Sequence, residues 1–201
     1  MRRTKEDAEQ TRTAILDAAE RVFMERGIDA ATLDGISRAA GVTRGAFYWH
    51  FKDKTDLLSA LQARSSLPQE ELLAYDETSS TDDPFEFLEA AGIKALTVFE
   101  EDESCQRLFS ILSSHTGRGQ SADWLDDANC RLFRLISRLT RIAADQGKLG
   151  PHFTPDEAAG VLMASMNGLL GEWLRAKKVF PLKELGSKLL RGQLAMLRAS
   201  E

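Results

Sequence analysis

Thr32-Leu-Asp-Gly-Ile-Ser-Arg-Ala-Ala-Gly-Val-Thr-Arg-Gly-Ala-Phe-Tyr-Trp-His-Phe-Lys-Asp-Lys54 is the stretch that decides the fold. It reads as two short helices around a tight turn. Thr32 supplies an N-cap, after which Leu33, Ile36 and Ala40 recur at helical spacing. Gly41 accepts the left-handed backbone that such a corner needs. Thr43 then caps a second helix, in which Phe47 and Phe51 lie four apart and point inward together. Two helices joined in this way are a helix-turn-helix, which lays its second helix in the major groove of DNA.

The outer face of that second helix carries Arg44, Tyr48, Trp49 and His50 where Glu, Lys or Ala would be ordinary. A core helix accounts for Phe47 and Phe51, but not for Tyr48, Trp49 and His50 together beside them. Gly45 sits near the helix start, where a small residue lets the N-terminus come close to a phosphate. In the DNA reading, Arg44 contacts a base edge or a phosphate, and Thr43 and Gly45 present the helix N-terminus to the backbone. Tyr48, Trp49 and His50 meet phosphates and thymine methyls, while Thr32 and Lys54 clamp phosphates on either side.

The run Thr43-Arg44-Gly45-Ala46-Phe47-Tyr48-Trp49-His50-Phe51-Lys52-Asp53-Lys54 resembles the recognition-helix pattern of the TetR family of bacterial transcriptional repressors. Within that family it is most similar to the multidrug-efflux repressors of the AcrR and TtgR type. Arg2 to Ala8 and Thr11 to Phe23 resemble them too, and beyond the N-terminal third the likeness is loose. The resemblance implies a dimeric repressor on palindromic double-stranded operator DNA, released by a small hydrophobic or amphiphilic ligand and controlling efflux-pump genes. One feature departs from the pattern. Before Ile36 an acid is usual, and here Gly35 stands there with the acid at Asp34. A mid-helix Gly costs about 1 kcal/mol against Ala, which softens the supporting helix.

At 201 residues the chain has room for a small reading module and a larger helical domain. Hydrophobic residues make up 43%, enough for a core, and no apolar run approaches the roughly 20 residues of a membrane span. With a polar N-terminus this points to the cytoplasm. The net charge of −5 sits oddly with DNA, but its distribution explains it. Residues 1–54 carry ten Lys/Arg and nine Asp/Glu, a net of +1, and the remainder sixteen against twenty-two, a net of −6. Non-specific DNA affinity is therefore expected to be modest, with specificity resting on placed contacts and dimerisation. Arg2, Arg3 and Lys5 read equally as a frayed terminus or a basic arm. Cys105 and Cys130 form no CxxC pair and read as idle thiols.

No strand period appears, so the expected fold is all-α: a three-helix reading module over residues 1–53, then a ligand-binding and dimerisation domain over 54–201. Ile15, Ala18, Ala19, Val22 and Phe23 stripe a first helix that Gly27 closes. Leu57, Leu58 and Leu61 stripe a fourth helix, the natural lever into the second domain. Residues 67–84 hold six acids and no Lys or Arg, and 76–84 read as loop. Thr154-Pro155-Asp156-Glu157 is a capping-box helix start.

The resemblance also implies sites in the second domain. Its ligand cavity would fall near Leu96, Phe99, Phe109, Leu112, Ser113, Met163, Met166 and Asn167. The methionines suit varied apolar shapes, and Ser113 and Asn167 could orient a polar group. A Met and aromatic stripe at helical spacing is, however, more often plain core. The segment Gly168 to Leu174 is similar to the dimer-forming segment of the efflux repressors, which pairs with the last helix. That places Gly168, Gly171, Trp173, Leu174, Leu190 and Leu194 at the interface, against the alternative that these helices complete one chain's own core.

No GxSxG, HExxH or phosphate-cradling loop is present, so an enzyme is not expected, nor a metal or cofactor. An activator and a ligand-independent regulator remain open, because the sign of regulation depends on operator position.

Overall fold

The computed structural model describes residues 5–64, 83–113 and 120–199, with backbone alone for 120–130. These residues form nine helices and no strand. In chain order they are α1 (Lys5–Ala30), α2 (Leu33–Ala39), α3 (Arg44–His50), α4 (Lys54–Arg64), α5 (Pro84–Glu101), α6 (Glu103–Ser113), α7 (Gln120–Asp145), α8 (Pro155–Arg175) and α9 (Leu182–Leu197). The basic arm at Arg2 and Arg3, most of the acidic stretch, and the Cys130 side chain lie outside the described residues.

The described residues form two compact units, one within 1–66 and 104–126, the other within 67–103 and 127–201. Helix α4 and most of α6 cluster with the reading head. The physical tie is electrostatic as well as apolar: Arg64 on α4 pairs with Asp17 and Glu20 on α1, and Arg107 on α6 pairs with Glu20.

In the first unit, Ile15, Leu16, Ala18, Ala19, Val22 and Phe23 are buried along α1, with Ile36, Phe47, Phe51, Leu57, Leu58 and Leu61 from the next three helices. Each large aliphatic or aromatic side chain so enclosed contributes about 1.5–3 kcal/mol. Gly27 ends the regular part of α1 as the sequence suggested. Its φ of 75° and ψ of 163° form a conformation essentially confined to glycine. The break redirects the chain so that Ile28 and Ala31 are buried too.

In the second unit, α5 and α9 pack closely through two glycines. A Cβ on Gly92 would stand 2.5 Å from Leu190 Cδ2, and one on Gly186 would stand 2.7 Å from Leu96 Cδ1. Around this contact Phe85, Leu88, Leu135, Ile136, Leu139, Leu162, Leu194 and Leu197 form one buried cluster. Side chains fix three helix starts, two of them locally. Asp83 caps α5, Thr154 and Glu157 form a full capping box on α8, and Glu100 accepts the Leu182 amide at the head of α9. An isolated antiparallel bridge joins Leu149 to Arg198. No helix among the described residues is long and apolar enough to cross a membrane.

Candidate nucleic-acid interface

The helix-turn-helix is closed by its own side chains. Thr32 Oγ1 accepts the Gly35 amide at 3.0 Å and Thr43 Oγ1 accepts the Ala46 amide at 3.2 Å. Gly41, at φ 68°, turns the corner, and the amides of Gly41 and Val42 donate to the carbonyls of Arg38 and Ser37. Both threonines therefore have a capping role, while each hydroxyl keeps a hydrogen to donate to a phosphate.

Helix α3 separates its side chains by face. Phe47 and Phe51 are buried, whereas Tyr48 is 42% exposed and Trp49 73% exposed. Trp49 stands edge-on to the half-buried His50, ring centroids 4.6 Å apart. Arg44 projects from the first turn, with its guanidinium 5.6 Å from the Tyr48 ring centroid and its Nε 3.4 Å from Asp34 Oδ1. A Cβ built on Gly45 would meet no atom within 4 Å, so nothing inside the protein requires a glycine there. The result is a solvent-facing row of donors and aromatics whose N-terminal end admits another backbone closely.

Lys54 is placed differently from a free clamp. Its ammonium donates to the carbonyls of Ile28 at 2.8 Å and Asp29 at 3.2 Å, at the end of α1. Burial lowers its pKa, partly offset by the charge of Asp29. Two of its three donors thus hold the α1–α4 junction, a duty its spacing after the recognition helix did not reveal.

The family model for "Bacterial regulatory proteins, tetR family" matches residues 15–61, the span from the α1 stripe through most of α4. The chain is 38% identical to the HTH-type transcriptional repressor BepR of Brucella suis over 203 residues, covering 99% of this chain and 97% of that one. The chain belongs to the TetR family.

Two solved relatives extend the match to the whole regulator. NalD, described as the secondary repressor of the MexAB-OprM multidrug efflux pump in Pseudomonas aeruginosa, superposes with a TM-score of 0.80 at 32% identity. That alignment covers 98% of this TetR-family chain and 100% of NalD. SmeT, solved in complex with triclosan, gives 0.77 at 32% identity over 96% and 93% of the two chains.

The positions expected to line a ligand cavity are distributed over both units of this TetR-family regulator. Phe109 and Leu112, half-buried, and Ser113, exposed, belong to the first. In the second, Leu96 and Phe99 are buried, Leu96 against Gly186 and Phe99 with its ring centroid 6.1 Å from that of Trp173. Met163 and Met166 pack against the second unit's core, and Asn167 is exposed. A groove of about 410 Å³ in the first unit is lined by Asp17, Glu20, Arg21, Met24, Glu25, Arg64 and Arg107, and includes none of those eight positions.

Three of the expected interface residues have contacts inside the chain. Trp173, Leu190 and Leu194 are buried within the chain's own core, with Trp173 Nε1 donating to the Phe180 carbonyl at 2.8 Å. Gly171 and Leu174 are half-buried, and Gly168 is exposed with no atom within 4 Å of a Cβ position. Sequence reasoning missed the exposed apolar stripe of α9, formed by Leu185 at 43% and Met196 at 54% exposure with Leu189 and Gly192 between. Its heptad-like spacing was visible but merged with that of the core-facing leucines.

Proposed function

We propose that this chain is a dimeric repressor of multidrug-efflux genes that leaves a palindromic operator when a small hydrophobic or amphiphilic inducer binds. The observation that carries the DNA side is the solvent-facing row Arg44, Gly45, Tyr48 and Trp49 on a helix whose other face is anchored by Phe47 and Phe51. The efflux assignment is supported by likeness over nearly the whole chain to NalD, and the inducer class by likeness to SmeT bound to triclosan.

Dimerisation is supported by complementary stripes on two neighbouring helices. Leu185, Leu189, Gly192 and Met196 recur along α9 at coiled-coil spacing, and Gly160, Ala164 and Gly168 leave a small-residue track along α8. Exposed apolar residues in register are the mark of a partner surface. A two-fold axis there sets two recognition helices on half-sites about one helical turn (34–36 Å) or a multiple apart.

The inducer acts only through its preference for the DNA-incompetent shape. A tenfold to hundredfold loss of operator affinity needs about 1.4–2.8 kcal/mol of coupling. The test is fluorescence-anisotropy titration of DNA from upstream of the protein's own gene, repeated with a panel of lipophilic drugs. Tight binding to one palindrome, reversed by a compound, is the expected result. Binding no tighter than to random duplex at physiological salt removes the operator model.

A further inference from the structure

Arg44 is restrained from two sides before any DNA arrives. Asp34, from the first turn of α2, lies 3.4 Å from its Nε, and Tyr48, one turn along α3, lies beneath its guanidinium. Tyr48 and then Asp34 raise its pKa. On a helix one residue is a turn of about 100°, so an acid at position 35 would leave this contact and only the acid at 34 makes it. Gly35 meanwhile fits under the Thr32 cap, where a Cβ would stand 3.0 Å from Thr32 Oγ1.

The pair does little for stability. Both side chains are more than half exposed, and an exposed ion pair contributes little to stability. A carboxylate on a surface that meets phosphates also weakens DNA binding in general. Its effect on Arg44 is a different matter. With the Asp34 carboxylate beside Nε, the Nη1–Nη2 edge of the guanidinium is the one left to meet guanine O6 and N7 as a pair. Holding the side chain in that pose removes part of the ordering cost of the contact.

We propose that Asp34 is a specificity-determining residue of the DNA-binding surface. It positions Arg44 for a two-bonded contact with one base pair and, facing the phosphates, disfavours sites where that contact is not made. This rests on the reading of Arg44 as a base reader.

The test uses the full-length protein and the duplex selected from upstream of its own gene. That duplex, single-base variants through each half-site and a random duplex are titrated at fixed salt. The proteins are the wild type, Asp34→Asn, Asp34→Glu, Arg44→Ala and the Asp34→Asn/Arg44→Ala double variant. Asp34→Asn is expected to bind random duplex more tightly and to lose about tenfold discrimination at the same base pair that Arg44→Ala ceases to read. Asp34→Glu is expected to keep that discrimination, and the double variant to match Arg44→Ala at that pair. An Asp34→Asn protein that gains affinity for every duplex equally, with the wild-type profile intact, overturns the assignment and leaves the operator reading standing. So does a loss of discrimination at base pairs that Arg44→Ala still reads. A wild type that discriminates no base pair overturns the operator reading and the assignment together.

Discussion

Glu20 on α1 and Arg107 on α6 form an ion pair across 87 positions of sequence. The other carboxylate oxygen of Glu20 accepts from Arg64 on α4, which also pairs with Asp17. One carboxylate, with its side chain 13% exposed, therefore joins three helices of the first unit.

Removing its charge leaves two arginines facing each other without their shared acceptor. Glu20→Gln is expected to lower the unfolding free energy by about 1–3 kcal/mol, the range for a lost hydrogen bond to a charged group. Urea denaturation at neutral pH reads it directly. Glu9→Gln, which removes an exposed pair with Arg12, is the comparison and should change little. Equal effects at the two sites would show that the Glu20 network holds nothing together.

Gly45 separates folding from DNA binding. A Cβ there meets only solvent, so Gly45→Ala should keep the fold and stabilise α3 by up to about 1 kcal/mol. If α3 presents its first turn to a phosphate, the added methyl intrudes on that approach, and operator affinity should fall about tenfold or more. Thermal denaturation and anisotropy on the same preparation check both halves. Undiminished affinity would move the phosphate contact away from this end of the helix.

What was legible from sequence alone was local. Thr32, Thr43 and Thr154 act within three residues of themselves, and their caps appear where the spacing put them. The α1 stripe likewise needs only its own helix. Glu20, Arg64 and Arg107 carry no periodic signal, because their meeting depends on how helices far apart in sequence pack. The glycines show the same limit. Gly168 and Gly186 look alike in sequence, yet Gly186 lies against Leu96 and Leu169 whereas Gly168 has no neighbour at its Cβ position. Trp173, Leu190 and Leu194 belong to helices apolar on more than one face, and sequence could not say which face meets the chain's own core.

The second unit has an acid-sensitive clasp at Asp83. Its Oδ1 accepts the Phe85 amide at 2.9 Å and its Oδ2 accepts from Arg198 at 2.8 Å, close to the chain's C-terminus. Burial alone would raise the pKa of this carboxyl. The hydrogen bonds from Arg198 and Phe85, with the charges of Arg198 and Lys148, outweigh burial and lower it from 3.8. A depressed folded-state pKa means stability that is fully present above the unfolded value and lost as pH falls through the folded one. Asp83→Asn keeps a capping oxygen and removes the charge. The stability gap between wild type and variant is therefore expected to be full at neutral pH and to close as pH drops below about 4. Chemical denaturation across that range measures it, and a gap independent of pH would show that the clasp is not ionic.

The apolar stripe of α9 can be tested without disturbing the core. Leu185 and Met196 are substantially exposed, while the leucines that hold the helix, Leu190, Leu194 and Leu197, face inward. A Leu185→Lys/Met196→Lys variant should therefore fold with near wild-type helicity. If the stripe is the two-fold contact, four lysines meet across it and association fails, since like charges brought together in an apolar interface are strongly unfavourable. Light scattering on the eluted protein is expected to give the mass of one chain. Operator affinity should fall by about a hundredfold or more, because the second recognition helix no longer binds as a tethered partner. A folded variant that elutes as a dimer would move the contact off this stripe, and the small-residue track of Gly160, Ala164 and Gly168 on α8 would be the next surface to charge.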